Sequence, residues 1–207
     1  MSKSILITGF TPFDGELINP SYEAIKQLSD SILDTKIIKL EIETAFQTSK
    51  DQIIDAIKKY QPDAVVLVGQ AGGAKNMRIE RVAINIDDAS IYDNHQYMPI
   101  DQPIIKDGPA AFFSTLPIKK IVNRLMDDGI PAVISNSAGT FVCNHLMYHT
   151  LYYLHLNQID IPAGFIHVPY IFSQVKDKID LYATDLNVIT KTLDITIRII
   201  IKEIYER

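Results

Sequence analysis

Apolar residues along the chain follow two different spacings. Short runs that are apolar at almost every position are typical of strands covered on both faces of a sheet. The run at residues 64–69 is apolar throughout, which is typical of a central strand. Runs of this kind predict strands at residues 4–9, 37–42, 64–69, 82–86, 132–135 and 164–168.

Apolar residues three or four positions apart predict helices between these strands. The first helix begins at Asn19-Pro20-Ser21, because proline is tolerated in the first turn of a helix. Residues 195–199 alternate like a strand, yet helical spacing extends from 186 to 204, and this length favours a helix. The remaining predicted helices cover residues 46–60, 118–129 and 140–156.

Strands that alternate with helices predict an α/β fold, a three-layer α/β/α sandwich around a mainly parallel or mixed, twisted central sheet. No internal repeat, charge block or flexible linker divides the 207 residues, so we predict a single domain over residues 1–207. In such folds ligands bind at the carboxyl ends of the strands. We therefore expect the functional residues in the segments that follow the strands.

The composition narrows the classes of function. Lys and Arg total 20 against 25 for Asp and Glu, a net charge of -5, which argues against a nucleic-acid-binding surface. Uninterrupted apolar runs such as 64–68 and 199–201 are far shorter than the ~20 residues of a membrane span, so we expect no membrane insertion. The run after the first methionine stops at Gly9, too soon for a signal peptide. We therefore expect a cytoplasmic protein.

The chain has a single cysteine, Cys143, which excludes an internal disulfide and a cysteine-based zinc cluster. Cys143 lies just inside the predicted helix 140–156, where free backbone N–H groups and a partial positive charge favour a thiolate. That position suits a nucleophile. The alternative is a buried cysteine acting as a small apolar residue, since it shares a helix face with Leu146, Met147 and Leu154.

A nucleophilic thiolate needs a general base within reach, and three histidines on the same helix fail this test. His145 is about 200° round the helix, while His149 and His155 are about 9 Å and about 18 Å along the axis. His145 and His149 have a spacing that can bind a metal, but no glutamate accompanies them as in a zinc hydrolase. We interpret both as surface histidines and predict no metal.

The remaining histidines are His95 and His167. His95 lies in a long polar segment, and a solvated loop residue is the favoured interpretation there. His167 is near the end of the strand 164–168, where an α/β sheet presents side chains to its ligand-binding edge. We therefore predict that His167 is the partner of Cys143.

A carboxylate or amide is expected to hold the imidazole in one tautomer and stabilise its cation. Spacing alone does not choose among the candidates, and an exposed carboxylate paired with a neighbouring arginine is the alternative for Glu80. The candidates are Glu80, Asp87, Asp88, Asp93, Asp101 and Asp107.

Two loops have a composition suited to a small ligand. The loop 69–73 lacks the ending of a P-loop and the spacing of a dinucleotide fold, but its glycines let backbone groups approach a polar ligand or simply form a tight turn. Phe10 and Phe13 follow the first strand and either wall a pocket or cap the core. The polar segment 87–108 has no clear period, so it is either functional or contains an unrecognised hairpin.

Taken together, these pieces resemble pyroglutamyl-peptidase I, also called pyrrolidone-carboxylate peptidase, a family of cysteine exopeptidases. The resemblance extends over nearly the whole chain, and its specificity comes from the order and spacing of five motifs. The motifs are Gly9-Phe10-Thr11-Pro12-Phe13 with Asn19-Pro20-Ser21; Gly69-Gln70-Ala71-Gly72-Gly73; Glu80-Arg81-Val82-Ala83-Ile84-Asn85; Ser137-Ala138-Gly139-Thr140-Phe141-Val142-Cys143-Asn144; and Gly164-Phe165-Ile166-His167-Val168-Pro169.

The resemblance implies a catalytic triad of Glu80, Cys143 and His167 that removes an N-terminal pyroglutamyl residue from peptides without a metal or other cofactor. It also implies a homotetramer. It further implies that Gln70 offers backbone hydrogen bonds to the lactam ring of the substrate. The side chains that it implies as the apolar walls of the ring pocket are Phe10, Phe13, Phe141, Val142 and Met147.

Two positions depart from the family pattern. The family usually has an arginine where this chain has Ala74, and another where it has Ser90. These departures motivate a second hypothesis, a non-catalytic or weakly active relative that binds pyroglutamyl or other lactam peptides. A third, suggested by the α/β pattern alone, is a nucleoside phosphorylase-like enzyme whose glycine loop binds phosphate.

Overall fold

The computed structural model describes residues 3–176, 178 and 180–206. A seven-stranded central sheet lies between two layers of helices, so the predicted three-layer α/β/α sandwich is confirmed. The strands of this sheet are β1 (Ser4–Phe10), β2 (Ser31–Ile32), β3 (Thr35–Ile42), β4 (Ala64–Gln70), β5 (Met77–Glu80), β8 (Ala132–Ser135) and β9 (Ala163–Val168). The short strands outside it are β6 (Val82–Ile84), β7 (Ala111–Phe113), β10 (Tyr170–Ile171) and β11 (Ala183–Thr184).

The strand order in the central sheet is β2-β3-β1-β4-β9-β5-β8. Strands β3, β1, β4 and β9 are parallel, so their carboxyl ends meet at one edge of the sheet. Strand β5 is antiparallel to β9 and parallel to β8, while β2 is antiparallel to β3. The sheet is therefore mixed, and its parallel part creates the edge at which a site is expected.

Helices cover both faces of the sheet because successive side chains of a strand point in opposite directions. On β4, Val66 and Val68 pack in one apolar cluster with the helices at residues 20–26, 118–127 and 186–206, whereas Val65 and Leu67 pack in the other with the helices at 46–60 and 142–156. Within the described residues, the helices lack an apolar stretch long enough to cross a bilayer. The helices are α1 (Pro20–Lys26), α2 (Phe46–Tyr60), α3 (Ile118–Asp127), α4 (Val142–Leu156) and α5 (Leu186–Glu206).

The strand predicted at residues 82–86 is present over Val82–Ile84, but it lies outside the central sheet. It pairs with Ala111–Phe113 in a separate two-stranded sheet, and the central sheet instead contains Met77–Glu80, where no strand was predicted. This strand has only 4 residues. Its alternation of buried Met77 and Ile79 with polar side chains is too short to give a clear period-two signal.

The polar segment 87–108 lies along the helices without forming a long hairpin. Asp87 and Gln102 exchange backbone hydrogen bonds, and the Asp93 carboxylate accepts a hydrogen bond of 3.0 Å from the Phe46 N–H at the start of α2. The Asn94 side chain donates to the Pro12 carbonyl at 2.9 Å. This segment therefore fastens the loop after β1 to the start of α2.

Candidate active site

A small cavity lies at the edge where the parallel strands β1, β3, β4 and β9 end. Its volume is ≈ 110 Å³, well below the roughly 300–1,000 Å³ of sites for drug-sized ligands, so it suits a single small ring. The residues that line it are Phe10, Phe13, Asn19, Thr44, Gln70, Ala138, Phe141, Cys143 and His167.

Cys143 is the second residue of α4, with Phe141 as the extended residue before the helix. Gly139 has a φ of 80°, a left-handed conformation that favours glycine, and it lets the chain turn from β8 into the helix. Backbone N–H groups in the first turn lack helical acceptors, and the helix dipole adds a partial positive charge there. Cys143 is half-buried in this first turn.

Gly69 on β4 makes room for the thiol. A Cβ atom at this position would lie 2.9 Å from the Cys143 Sγ and 2.7 Å from the Phe165 ring. Glycine is therefore required at the end of this strand because the sulfur approaches the backbone closely.

His167 and Glu80 form a buried pair beside the thiol. Arg78 of β5 lies opposite His167 of β9 in the antiparallel pair, so Glu80, two residues further on the same face, is the diagonal neighbour of His167. The His167 Nδ1 is 2.8 Å from the Glu80 Oε1. Glu80 is fully buried, and its Oε2 has no hydrogen-bond partner among the described residues, so His167 is the group that neutralises this carboxylate.

The electrostatic environment favours the protonated form of His167. Burial alone lowers the pKa of His167, but the negative charge of Cys143 and hydrogen bonds with Cys143 and Glu80 raise it from 6.5 to about 9. His167 is therefore an imidazolium at neutral pH, and it lies between the Cys143 sulfur and the Glu80 carboxyl group. The structure brings together Glu80, Cys143 and His167, the three residues that the resemblance implied as a triad.

The family model described as pyroglutamyl peptidase matches residues 3–203 of the chain. The chain belongs to the pyroglutamyl peptidase family. It is 50% identical over 198 residues to the Pyrrolidone-carboxylate peptidase 1 of Caldanaerobacter subterraneus subsp. tengcongensis, covering 96% of this chain and 98% of that protein.

Solved structures of the same family are similar throughout. The pyroglutamyl peptidase I of Bacillus amyloliquefaciens has a TM-score of 0.93 and 44% identity, covering 96% of this chain and 95% of that chain. The pyrrolidone carboxyl peptidase of Thermococcus litoralis has a TM-score of 0.95 and 34% identity, covering 99% of this chain and 96% of that chain. The resemblance drawn from the five motifs is thus confirmed. The comparisons favour it over the nucleoside phosphorylase-like hypothesis.

Aromatic side chains form the walls of the cavity, as the resemblance to pyroglutamyl peptidases implied. The rings of Phe13 and Phe141 have centroids 6.0 Å apart, and Phe141 also contacts the Phe46 ring at 5.3 Å. Phe10 packs against Phe165 at 6.3 Å on the sheet side. These contacts hold the rings in fixed positions around an apolar space.

Val142 and Met147, the other two implied walls, are fully buried in the apolar cluster between α4 and the sheet, and neither is among the described residues that line the cavity. Val142 is about 100° round the helix from Cys143, whereas Met147 shares the face of Cys143 but lies about 6 Å further along the helix axis. Val142 and Met147 belong to the same apolar cluster as Phe10, so they pack behind the cavity rather than in its lining.

Three lining residues were not identified as site residues from the sequence. Asn19 accepts a 3.1 Å hydrogen bond from the Ser21 N–H at the start of α1, and the sequence analysis treated it only as a helix start. Thr44 follows β3, and its hydroxyl donates to the Thr11 carbonyl at 2.7 Å. Ala138 precedes the turn into α4. The position of Thr44 after a parallel strand is the signal that could have found it.

The two departures from the family pattern lie outside the cavity. Ala74 is buried in the turn after β4. Ser90 is exposed and lines a separate surface cavity of ≈ 660 Å³ between the segments 14–15 and 90–98. Neither side chain is among the described residues that line the site around Cys143.

The interpretation of His145 and His149 as surface residues is wrong. Both are buried, because α2 packs against this side of α4, with the Phe46 ring centroid 5.3 Å from that of His145. The His145 Nδ1 is 2.7 Å from the Asp87 Oδ2, and burial, together with the charges of His145 and Lys50, lowers the pKa of His149 to about 3. Among the described residues, no group of three or more His, Cys, Asp or Glu side chains is arranged to hold a metal ion.

Proposed function

We propose that the protein is a cysteine exopeptidase that hydrolyses the bond after an N-terminal pyroglutamyl residue through an acyl-enzyme on Cys143, with residues 1–207 acting as one catalytic domain. The proposal rests on one observation: the Cys143 thiol, the buried His167–Glu80 pair and a ring-sized cavity lie together at one edge of the sheet. The names of the relatives support the same substrate class.

In the proposed mechanism, the Cys143 thiolate attacks the pyroglutamyl carbonyl carbon and the carbonyl oxygen becomes an oxyanion. The backbone N–H of Cys143 at the head of α4 is the proposed donor to this oxyanion. The His167 imidazolium then protonates the leaving amine, so the C–N bond breaks and the acyl-enzyme forms. Neutral His167 next takes a proton from water, which attacks the thioester and releases pyroglutamate. Glu80 orients the ring and stabilises its cation.

Selectivity is proposed to come from the shape of the cavity and from hydrogen bonds to the lactam. Phe10, Phe13 and Phe141 accept the apolar edge of a five-membered ring. Gln70, at the end of β4, is proposed to bond the lactam amide through its backbone. A prolyl ring lacks the ring carbonyl and leaves a buried partner unpaired, at a cost of about 1 to 3 kcal/mol.

The positions of Ser90 and Ala74 support catalysis rather than the binding-only hypothesis. That hypothesis depended on these two departures from the family pattern. Since neither residue lines the cavity, the groups proposed to carry the reaction are all present.

We also propose that the protein acts in the cytoplasm as a homotetramer. A reducing compartment suits a mechanism that depends on one free thiol. Exposed apolar side chains on β7 and at the end of α4 support association between copies, with Phe113 69% and Leu156 60% exposed.

Turnover of a chromogenic pyroglutamyl amide, with and without alkylation of the thiol, tests the proposed function. We expect the untreated protein to release the amine and the iodoacetamide-treated protein to lose this activity. The corresponding prolyl amide is the matched control and is expected to be a poor substrate. Binding of the pyroglutamyl amide without turnover would favour the binding-only hypothesis.

The raised pKa of His167 predicts how activity and stability depend on pH. His167 titrates near 9 in the folded protein and near 6.5 when unfolded, so its contribution to stability is complete below pH 6.5 and is lost as the pH rises through about 9. The His167 imidazolium, which is the proposed acid for the leaving amine, loses its proton over the same pH range. We expect kcat/KM and the free energy of unfolding in urea both to fall as the pH approaches 9.

The matched control for the pH prediction is His167→Asn, which keeps an N–H donor for Glu80 but does not titrate. Its free energy of unfolding is expected to lack the part of the pH dependence that His167 supplies. An equal pH dependence of the free energy of unfolding in the wild type and in His167→Asn would contradict the assignment of the raised pKa to His167.

A further inference from the structure

Gln174 lies behind one wall of the cavity and belongs to none of the groups assigned above. It ends a short 3-10 turn (Phe172–Gln174) after β10, and its side chain is buried. Its Nε2 donates to the Gln70 Oε1 at 2.8 Å, to the Glu16 Oε2 at 3.3 Å and to the Ile18 carbonyl at 3.4 Å. Its Oε1 accepts from the Ile171 N–H at 3.2 Å.

These hydrogen bonds join three separate segments around the cavity. Gln70 ends β4 and lines the cavity, and Ile18 precedes Asn19, which also lines it. The amide has two hydrogens, so one serves Gln70 and the other serves the segment 16–18. One neutral side chain therefore fixes the distance between the end of β4 and the start of α1.

A second contact holds the same two segments together from the surface. Lys178 forms an ion pair with Glu16, and its ammonium lies 4.7 Å from the centroid of the Tyr170 ring. The Tyr170 ring in turn packs on Gly72, where a Cβ atom would lie 2.5 Å from the tyrosine hydroxyl. Gln174 is the buried centre of this arrangement.

The contacts of Gln174 lie on the face of the sheet away from the nucleophile. Gly69 faces Cys143, so the next side chain on β4, that of Gln70, points to the opposite face. The hydrogen bond between His167 and Glu80 does not involve this network. A change at Gln174 is therefore expected to alter the cavity wall and leave the thiol and its imidazole in place.

We propose that Gln174 is a positioning residue for the ring-binding cavity: it acts through Gln70 and the segment ending at Asn19, and it determines affinity for the lactam ring rather than the reactivity of Cys143. The proposal rests on the proposed function for its choice of ligand, a five-membered lactam. Because the amide is neutral, its effect is expected to be independent of pH.

The test measures the rate at which iodoacetamide modifies Cys143, with and without 2-pyrrolidone, the isolated lactam ring. In Gln174→Ala, the rate without the lactam is expected to match the wild type. The lactam concentration that gives half-protection is expected to rise about tenfold or more, since Gln70 and Ile171 lose buried partners. With the pyroglutamyl amide, KM is expected to rise by a similar factor and kcat to change little.

Further variants make the result specific. Gln174→Met has a similar length but no amide, so it removes the hydrogen bonds to Gln70 and to the Ile171 N–H and is expected to weaken protection as much as Gln174→Ala. Asn157→Ala removes an amide that donates to the Tyr153 carbonyl at the far end of α4, and it is expected to behave as the wild type. Because part of the effect passes through Gln70, the fold-loss of protection in the Gln70→Ala/Gln174→Ala double variant is expected to be smaller than the product of the losses in the two single variants.

Wild-type protection in Gln174→Met, or an equal fall in the unprotected alkylation rate, would overturn the proposal. Failure of both Gln174 variants to fold would also overturn it, because the residue would then serve general stability. The protection assay does not require turnover. A wild-type protein that binds the lactam but fails to hydrolyse the amide would therefore reject the proposed reaction and still decide the role of Gln174.

Discussion

Cys143→Ala is expected to lower kcat for a pyroglutamyl amide by about 10⁴-fold or more, because removal of the nucleophile leaves only binding and oxyanion stabilisation. Cys143→Ser is expected to be similarly impaired, since a hydroxyl is far less readily ionised than a thiol at this position. The measurement is steady-state turnover, together with mass spectrometry of the protein mixed rapidly with substrate. Only the wild type is expected to gain the mass of a pyroglutamyl group.

The structure predicts that these variants remain folded. The sulfur packs against Gly69 and the Phe165 ring, so alanine leaves only a small void, at a cost of about 1 kcal/mol. Thermal unfolding close to that of the wild type would show that the loss is chemical. Full activity of Cys143→Ala would contradict the proposed mechanism, and since the chain has no other cysteine, no second thiol could substitute.

His167→Ala is expected to lower kcat by about 10³-fold or more, because both the acid for the leaving amine and the base for water are lost. The thiolate also loses its cationic partner, so the rate of alkylation of Cys143 at neutral pH is expected to fall in the same variant. Turnover and alkylation rate are measured on one preparation. A variant that keeps either rate near the wild-type value would contradict the thiolate–imidazolium pair.

Two controls separate catalysis from folding at His167. His167→Ala leaves the buried Glu80 carboxylate without a partner, at a cost of about 3 to 5 kcal/mol, so thermal unfolding must accompany the kinetics. His167→Asn retains an N–H donor to Glu80 and is expected to be more stable yet equally inactive. His95→Ala is the matched histidine control, since His95 is exposed, bonded to Glu43, and outside the cavity lining.

The reactive geometry depends on contacts between strands that are distant in the sequence. His167 was found by its position at the end of a strand, and the structure agrees because β9 is parallel to β4 and ends at the same edge. Glu80 could not be chosen from spacing, because its partner is fixed by the antiparallel pairing of β5 with β9. A strand of 4 residues gives too weak a periodic signal for that pairing to be read from the chain.

Burial explains the incorrect interpretation of the histidines on α4. Histidines at positions 145 and 149 have the spacing of exposed helix residues, but α2 packs against that side of the helix, and Asp87 of the segment 87–108 contacts His145. The position of a long polar segment depends on its tertiary contacts. In this segment, Asp93 contacts the start of α2 and Asn94 contacts the loop after β1. Periodicity measures only local order and does not contain this information.

The sequence by itself determined the α/β alternation, the fold class, the place of Cys143 at the head of a helix and the choice of His167, because each depends on local spacing. Spacing alone left open which carboxylate pairs with His167; the resemblance implied Glu80, and the tertiary structure shows the pair. Only the tertiary structure decided which of the implied apolar side chains line the cavity, and that Gln174 joins its walls. Those features depend on strand order and on contacts between residues far apart in the chain, such as Gln174 with Gln70, 104 positions away, and with Glu16, 158 positions away. Such contacts form only when the whole sheet is assembled.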